Sequence, residues 1–366
     1  MRDLDHLLIR ALRAPEIVSR FSIGDWDVFV RQARQTGLLA RLYTQLEERA
    51  LLGAIPAAVR WHFDAAHTLA QKQQIAVRWE INQIRSALAE LNTPLILLKG
   101  AAYVIAGLPA AQGRLFNDID ILVPRELLNQ TEAALMLAGW HASGLSDYDE
   151  RYYRRWMHEI PPMQHIHRAT VIDVHHAILP ETARYFPDPE KLRAGIEPVA
   201  DLPGVYVLSA ADRILHSATH LFHDGELPHG LRDLTDLDLL LRQSAATPGF
   251  WLRLLQRADE LQLERSLFYA LRYTQHILDT PLPDKVADFM RHAAPPRWQL
   301  KLMDAIFSRV LAPFHSSCDD HWSPLARQAA YVRAHWLRMP LHLLLPHLFH
   351  KAFVSPYQDT ETAKPA

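Results

Sequence analysis

Three aspartates stand in this chain where apolar strands ordinarily exclude charge. Asp118 and Asp120 open the run DIDILV, residues 118–123, and Asp173 lies inside TVIDVHH, residues 170–176. Residues i and i+2 of a strand project from one face. Asp118 and Asp120 should therefore emerge side by side, and Asp173 on an adjoining strand would bring a third carboxylate to the same spot. Like charges that close cannot all stay ionised without a cation. Hard oxygen donors suit Mg²⁺ or Mn²⁺. Two such ions on shared carboxylates serve in-line displacement at phosphorus. The plainer alternative is that Asp118 caps a turn and Asp120 makes a surface ion pair. An ionisable residue in an apolar strand is uncommon without a partner, and here the pattern recurs on two strands, which favours the metal.

Upstream, the apolar run 95–98 ends in Lys99-Gly100-Ala101. Glycine lets a backbone approach phosphate oxygens, and a helix starting there offers free N–H groups. Lys99, Gly100 and Ala101 are thus expected to border the phosphates of a nucleotide, against the ordinary alternative of a plain strand-to-helix turn. Arg114, four residues before Asp118, has the fork that suits phosphate, or is a solvated loop arginine. His175 shares a strand face with Asp173 and would line the site or assist proton transfer, whereas His176 should face away. Among the 21 histidines, a zinc site from His165, His167 and His175 is conceivable but lacks ligand spacing. His216, His220 and His223-Asp224 fall at helical spacing, and packing is their simpler reading. Arg232, Asp233 and Asp236 read as i, i+4 ion pairing on a helix.

Gly100-Ala101, the Asp118-Ile119-Asp120 block and the later Asp173 between apolar neighbours resemble the nucleotidyltransferase superfamily that includes DNA polymerase beta. The K-G opening, the RLFNDIDILV block and IDVHH resemble more narrowly the stand-alone bacterial nucleotidyltransferase family proteins. The likeness covers roughly residues 90–208. It implies that Asp118, Asp120 and Asp173 bind the metals and that an NTP is the donor. The family often has serine after the glycine; Ala101 here lacks that hydroxyl.

The composition is that of a globular chain: 366 residues, 49% hydrophobic and 22% charged, enough for two or three structural units. A net charge of −2 argues against extended nucleic-acid binding. The single cysteine, Cys318, excludes an internal disulfide and fits a reducing cytoplasm. Residues 1–13 mix charge with leucine and do not read as a signal peptide. The apolar stretch 339–354 is broken by prolines, histidines and Lys351 and is too short for a span. No Walker A loop, G-x-G-x-x-G or G-x-S-x-G is present.

The expected fold class is α+β, a small mixed β-sheet core flanked by helical regions. Residues 1–91 read as helical, with one apolar stripe through Phe63, Ala66, Ala70, Val77, Ile81, Ile84, Leu88 and Leu91. Residues 92–208 form the α/β core, with strands expected near 95–98, 118–123, 163–167, 170–175 and 196–208. The segment 148–157 is aromatic and basic and is a possible acceptor contact. Residues 209–354 are helical, with helices expected at about 209–223, 231–244, 248–261, 264–280 and 283–292, and 355–366 read as a disordered tail. The activity expected is Mg²⁺- or Mn²⁺-dependent transfer of a nucleoside monophosphate from an NTP to an acceptor hydroxyl. An inactive nucleotide- or partner-binding protein on the same fold is the alternative. The acceptor, the base and the oligomeric state are not encoded in any motif.

Overall fold

The strands of the central sheet are short, three to five residues each. Asn92 adopts a left-handed conformation (φ 48°), which ends the preceding helical segment and lets the chain enter the sheet. The computed structural model describes residues 6–142, 144, 147–225, 227–340 and 342–344; the expected tail at 355–366 lies outside them. Seven strands form one mixed sheet in the order β3-β4-β5-β2-β1-β7-β6. They are β1 (Leu95–Leu97), β2 (Asp118–Leu122), β3 (Trp140–Ala142), β4 (Met163–His165), β5 (Val171–His175), β6 (Ile196–Pro198) and β7 (Val205–Leu208). β2 runs parallel to β5, and β1 runs parallel to β7 but antiparallel to β2. The edge strand β3 was not expected from the sequence. It follows Gly139, whose φ of +99° turns the chain out of the preceding helix.

The N-terminal region is helical. Ser22 and Asp25 form a capping box on helix Ile23–Gln35, each side chain taking the other's backbone N–H. Helix Ala57–Ala87 buries Phe63, Ala70, Val77, Ile81 and Ile84 of the expected stripe, while Ala66 is half-buried and Leu88 and Leu91 lie past its end. After the sheet come helices Ala210–His223, Gly230–Ala245, Phe250–Glu260 and Glu264–Leu278, within a few residues of their expected bounds. The aromatic-basic segment is helix Asp147–Trp156, and its Arg154 pairs with Glu132 and Glu150. One hydrophobic cluster runs from Leu8 to Ala330 and joins the sheet to helices on either side of it in sequence. No helix among the described residues is long and apolar enough to cross a membrane.

Candidate functional site

The parallel pairing of β2 with β5 sets Asp120 directly beside Asp173, with Asp118 two residues earlier on the same face. The opposite face carries Ile119, Ile121, Ile172 and Val174, all buried. That apolar face fixes the register, because a slip of one residue would turn the aspartates into the core. Asp118 is exposed and Asp120 is 2% exposed.

The electrostatics of the three differ. Partial desolvation by the surrounding chain pushes Asp118 up despite its exposed side chain, and the charge of Asp120 adds to the rise. Burial, then Asp120, Glu159 and Asp118, push Asp173 up to about 8. Its Oδ1 is buried without a hydrogen-bond partner. Burial opposes the charge on Asp120 too, but Lys99 and His175 outweigh it and hold Asp120 well below the usual carboxylate range.

Lys99 follows β1 and takes an uncommon positive φ of 42°. Because β1 is antiparallel to β2, its end lies at the start of the DID block, and Leu98 N–H donates to the Asp120 carbonyl at 2.9 Å. The Lys99 Nζ then lies 2.7 Å from Asp120 Oδ1. Burial works against its charge, but Asp120 and Asp118 raise it above the ordinary lysine value.

His175 reaches the same oxygen, with Nε2 3.0 Å from Asp120 Oδ1. On its other side stands a residue that sequence reasoning missed. The β4–β5 ladder pairs Met163 with Ile172, a register that would continue to Ile160 opposite His175. Instead an antiparallel bridge pairs Glu159 with His175. The one-residue slip falls at Pro161-Pro162, where two prolines cannot donate to a ladder. It exchanges an isoleucine for a carboxylate opposite the imidazole. Ile160 N–H donates to Val174 O at 3.1 Å and His176 N–H to His158 O at 2.8 Å, so Glu159 and His175 form the close, non-hydrogen-bonded kind of pair. Among the described residues, the group of ligand atoms lying mutually within 4.8 Å is that of His158, Glu159 and His175; the three aspartates are not so tightly gathered.

Other expected site residues fall as follows. A Cβ on Gly100 would meet the Phe116 ring and Arg114 Nη1, so the close approach that needs glycine there comes from the protein itself. Ala101 is 1% exposed and sits in the core. Arg114 donates from Nε to Asp236 Oδ2 at 2.8 Å and lies over the Phe116 ring. Asp236 also holds Arg41 at 2.7 Å. The helical i, i+4 pairing expected around Asp236 is thus replaced by two long-range ion pairs, while Arg232 pairs with Asp233 next to it.

The conceived zinc triad of His165, His167 and His175 does not assemble. Gln164 pairs with Val171, so His165 lies at the far end of β5 from His175, roughly 17 Å along the strand. It bonds Arg168 and packs edge-on against Trp140. His216 and His220, on helix Ala210–His223, do face the site. Burial first, then Lys99, lowers His216 to about 3, and Lys99 chiefly lowers His220. His220 joins Lys99, Asp118, Arg114, Arg232 and Asp233 around a cavity of about 90 Å³. A larger cavity of about 840 Å³, mostly apolar, lies among the C-terminal helices, bordered by Phe222, His223, Tyr269, Trp298 and Trp336. None of the aspartates lines it.

A family model described as an uncharacterised nucleotidyltransferase matches residues 23–279. No curated protein and no solved structure matches the chain.

Proposed function

The chain belongs to the uncharacterised nucleotidyltransferase family, and we propose that it transfers a nucleoside monophosphate from an NTP to an acceptor hydroxyl. The observation that carries this reading is the side-by-side placement of Asp120 and Asp173 on parallel strands, with Asp118 beside them. The donor set fits Mg²⁺ or Mn²⁺: all oxygen, with a buried, unpartnered Asp173 Oδ1 and carboxylates whose mutual repulsion a cation would relieve. Bound there, the metal would neutralise phosphate charge and polarise the P–O bonds.

The chain's own groups supply positioning. Asp118 and Asp120 would hold the metal, and Asp173 would align the acceptor hydroxyl and take its proton. The acceptor oxygen then attacks the α-phosphorus as the bond to the leaving pyrophosphate breaks. Lys99, already 2.7 Å from Asp120, is placed to put its ammonium on a phosphate oxygen, with Gly100 beside it. Arg114 borders the same small cavity while anchored on Asp236. That cavity, about 90 Å³, encloses only a part of a nucleotide, so the rest of the donor would extend toward solvent past the exposed Asp118. The net charge of −2 favours a small acceptor over long nucleic acid. Cys318 is buried and is the chain's single cysteine, in keeping with a reducing compartment such as the cytoplasm.

Calorimetric titration of each of the four NTPs, with and without Mg²⁺, tests the reading. Metal-dependent binding that the Asp118→Asn/Asp120→Asn variant loses is the expected result. If no NTP binds in the presence of Mg²⁺, the reading fails. A second reading, a nucleotide-binding protein without turnover, is favoured by one feature: the Lys99 ammonium already neutralises Asp120. Mg²⁺-dependent binding with no pyrophosphate release in the presence of small alcohols, sugars and peptides would support it.

A further inference from the structure

We infer that His158, Glu159 and His175 form a separate site for a borderline divalent cation, Zn²⁺ by its chemistry, next to the three aspartates.

The ligand atoms of these residues lie within 4.8 Å of one another. The set is two imidazoles and one carboxylate. Imidazole suits zinc and its first-row neighbours, whereas Mg²⁺ takes oxygen. Two histidines and a glutamate are one of the donor sets that leave zinc a fourth, open position.

Two buried ring nitrogens without a hydrogen bond point to a ligand. His175 is 2% exposed, and its Nδ1 has no hydrogen-bond partner. That nitrogen lies 3.3 Å from Glu159 Oε2. The Nδ1 of His158 is likewise buried and without a partner, and the two imidazole rings stand 5.3 Å apart. A buried nitrogen such as His158 Nδ1 with no partner is costly, and a cation shared with His175 and Glu159 would remove the cost.

Asp120 completes the arrangement from outside. It accepts from His175 Nε2 at 3.0 Å, which holds a proton on Nε2; a cation bound at Nδ1 would displace the proton that this nitrogen shares with Glu159. A carboxylate holding the far nitrogen of a ligating histidine is the usual outer support of a metal site. The backbone supports it as well. The register slip at Pro161-Pro162 is what sets Glu159, and not Ile160, opposite His175.

This site does not depend on nucleotidyl transfer, and its test needs no nucleotide. Metal-stripped full-length protein is titrated with Zn²⁺ against a chromophoric chelator, and in parallel with Co²⁺ while visible absorption is read. The expected result is one tight equivalent of Zn²⁺ per chain and an intense tetrahedral Co²⁺ band. His158→Ala and Glu159→Gln should each weaken zinc binding on the order of 100-fold, while Asp118→Asn should leave it unchanged. The Co²⁺ spectrum of the unaltered protein stands even if a variant does not fold. Absence of tight zinc binding by the wild type, zinc affinity unaltered in both His158→Ala and Glu159→Gln, or its loss in Asp118→Asn would each overturn the assignment, the last by placing the metal on the aspartates.

Discussion

The ammonium of Lys99 sits 2.7 Å from Asp120 Oδ1, in the region where a cation is expected to serve the carboxylates. Lys99 therefore acts as a resident counter-charge. Lys99→Met should leave three crowded carboxylates without it and make the fold more dependent on an added ion. The expected outcome in thermal melts is a larger Mg²⁺-induced rise in Tm for the variant than for the wild type. An equal rise in both would show that the lysine and the metal do not compete for the same charge.

Arg41 and Asp236 form a pair with side chains only 8% and 3% exposed. Arg41 also donates to Thr235 Oγ1 at 2.5 Å and to the Ala110 carbonyl at 2.6 Å. Removing one member of a buried pair costs about 3–5 kcal/mol when the other is left alone, and less here because Arg114 still holds Asp236 at 2.8 Å. Arg41→Met should lose about 2–3 kcal/mol in urea unfolding, and the Arg41→Met/Arg114→Met double variant should lose more than the sum of the two single changes. Arg291→Ala, which breaks an exposed pair with Asp288, should change stability by less than about 0.5 kcal/mol.

His223 is held to about 3, by burial first and Arg333 second, against the bond from its Nδ1 to the Thr219 carbonyl. The folded chain thus keeps it neutral while the unfolded chain takes a proton near its ordinary value of 6.5. Its contribution is present above pH 6.5 and is lost as the pH falls toward 3. The slope is up to about 1.4 kcal/mol per pH unit. His223→Phe should flatten the acid limb of the stability–pH curve by one proton's worth. An acid limb of unchanged slope would rule this out.

Gly100 has no room for a side chain. A methyl group there would come within 2.7 Å of the Phe116 ring. Gly to Ala in a helix ordinarily gains up to about 1 kcal/mol, whereas overpacking costs about 1–3 kcal/mol. Gly100→Ala should be destabilising on balance, and Phe116→Leu should recover part of the loss in a double variant.

The sequence revealed what local periodicity controls. The i, i+2 spacing of Asp118 and Asp120 and the apolar neighbours of Asp173 were enough to anticipate strands with carboxylates on one face, and the structure has β2 and β5 there. The stripe of helix Ala57–Ala87 was equally plain. Pairings between distant segments were not. Nothing in the sequence near Arg41 shows that its counter-charge lies at Asp236. Glu159 escaped notice because its facing residue depends on a register slip, and MHEIPP has no strand period of its own. The clue was present in the two prolines, which oblige a ladder to break beside a strand end that carries a histidine.

Arg41, Arg114 and Asp236 come from the N-terminal helices, the loop before β2 and the C-terminal helices, and they share one buried carboxylate. A knot of this kind makes the molecule hard to trim. Excising the sheet at residues 92 and 208 would take Arg114 away from Asp236, its ion-pair partner, and open the loop that leads into Asp118. Anyone wishing to transplant this site onto another scaffold should therefore carry both helical flanks with it, and natural rearrangements of the gene are expected to have moved the three parts together.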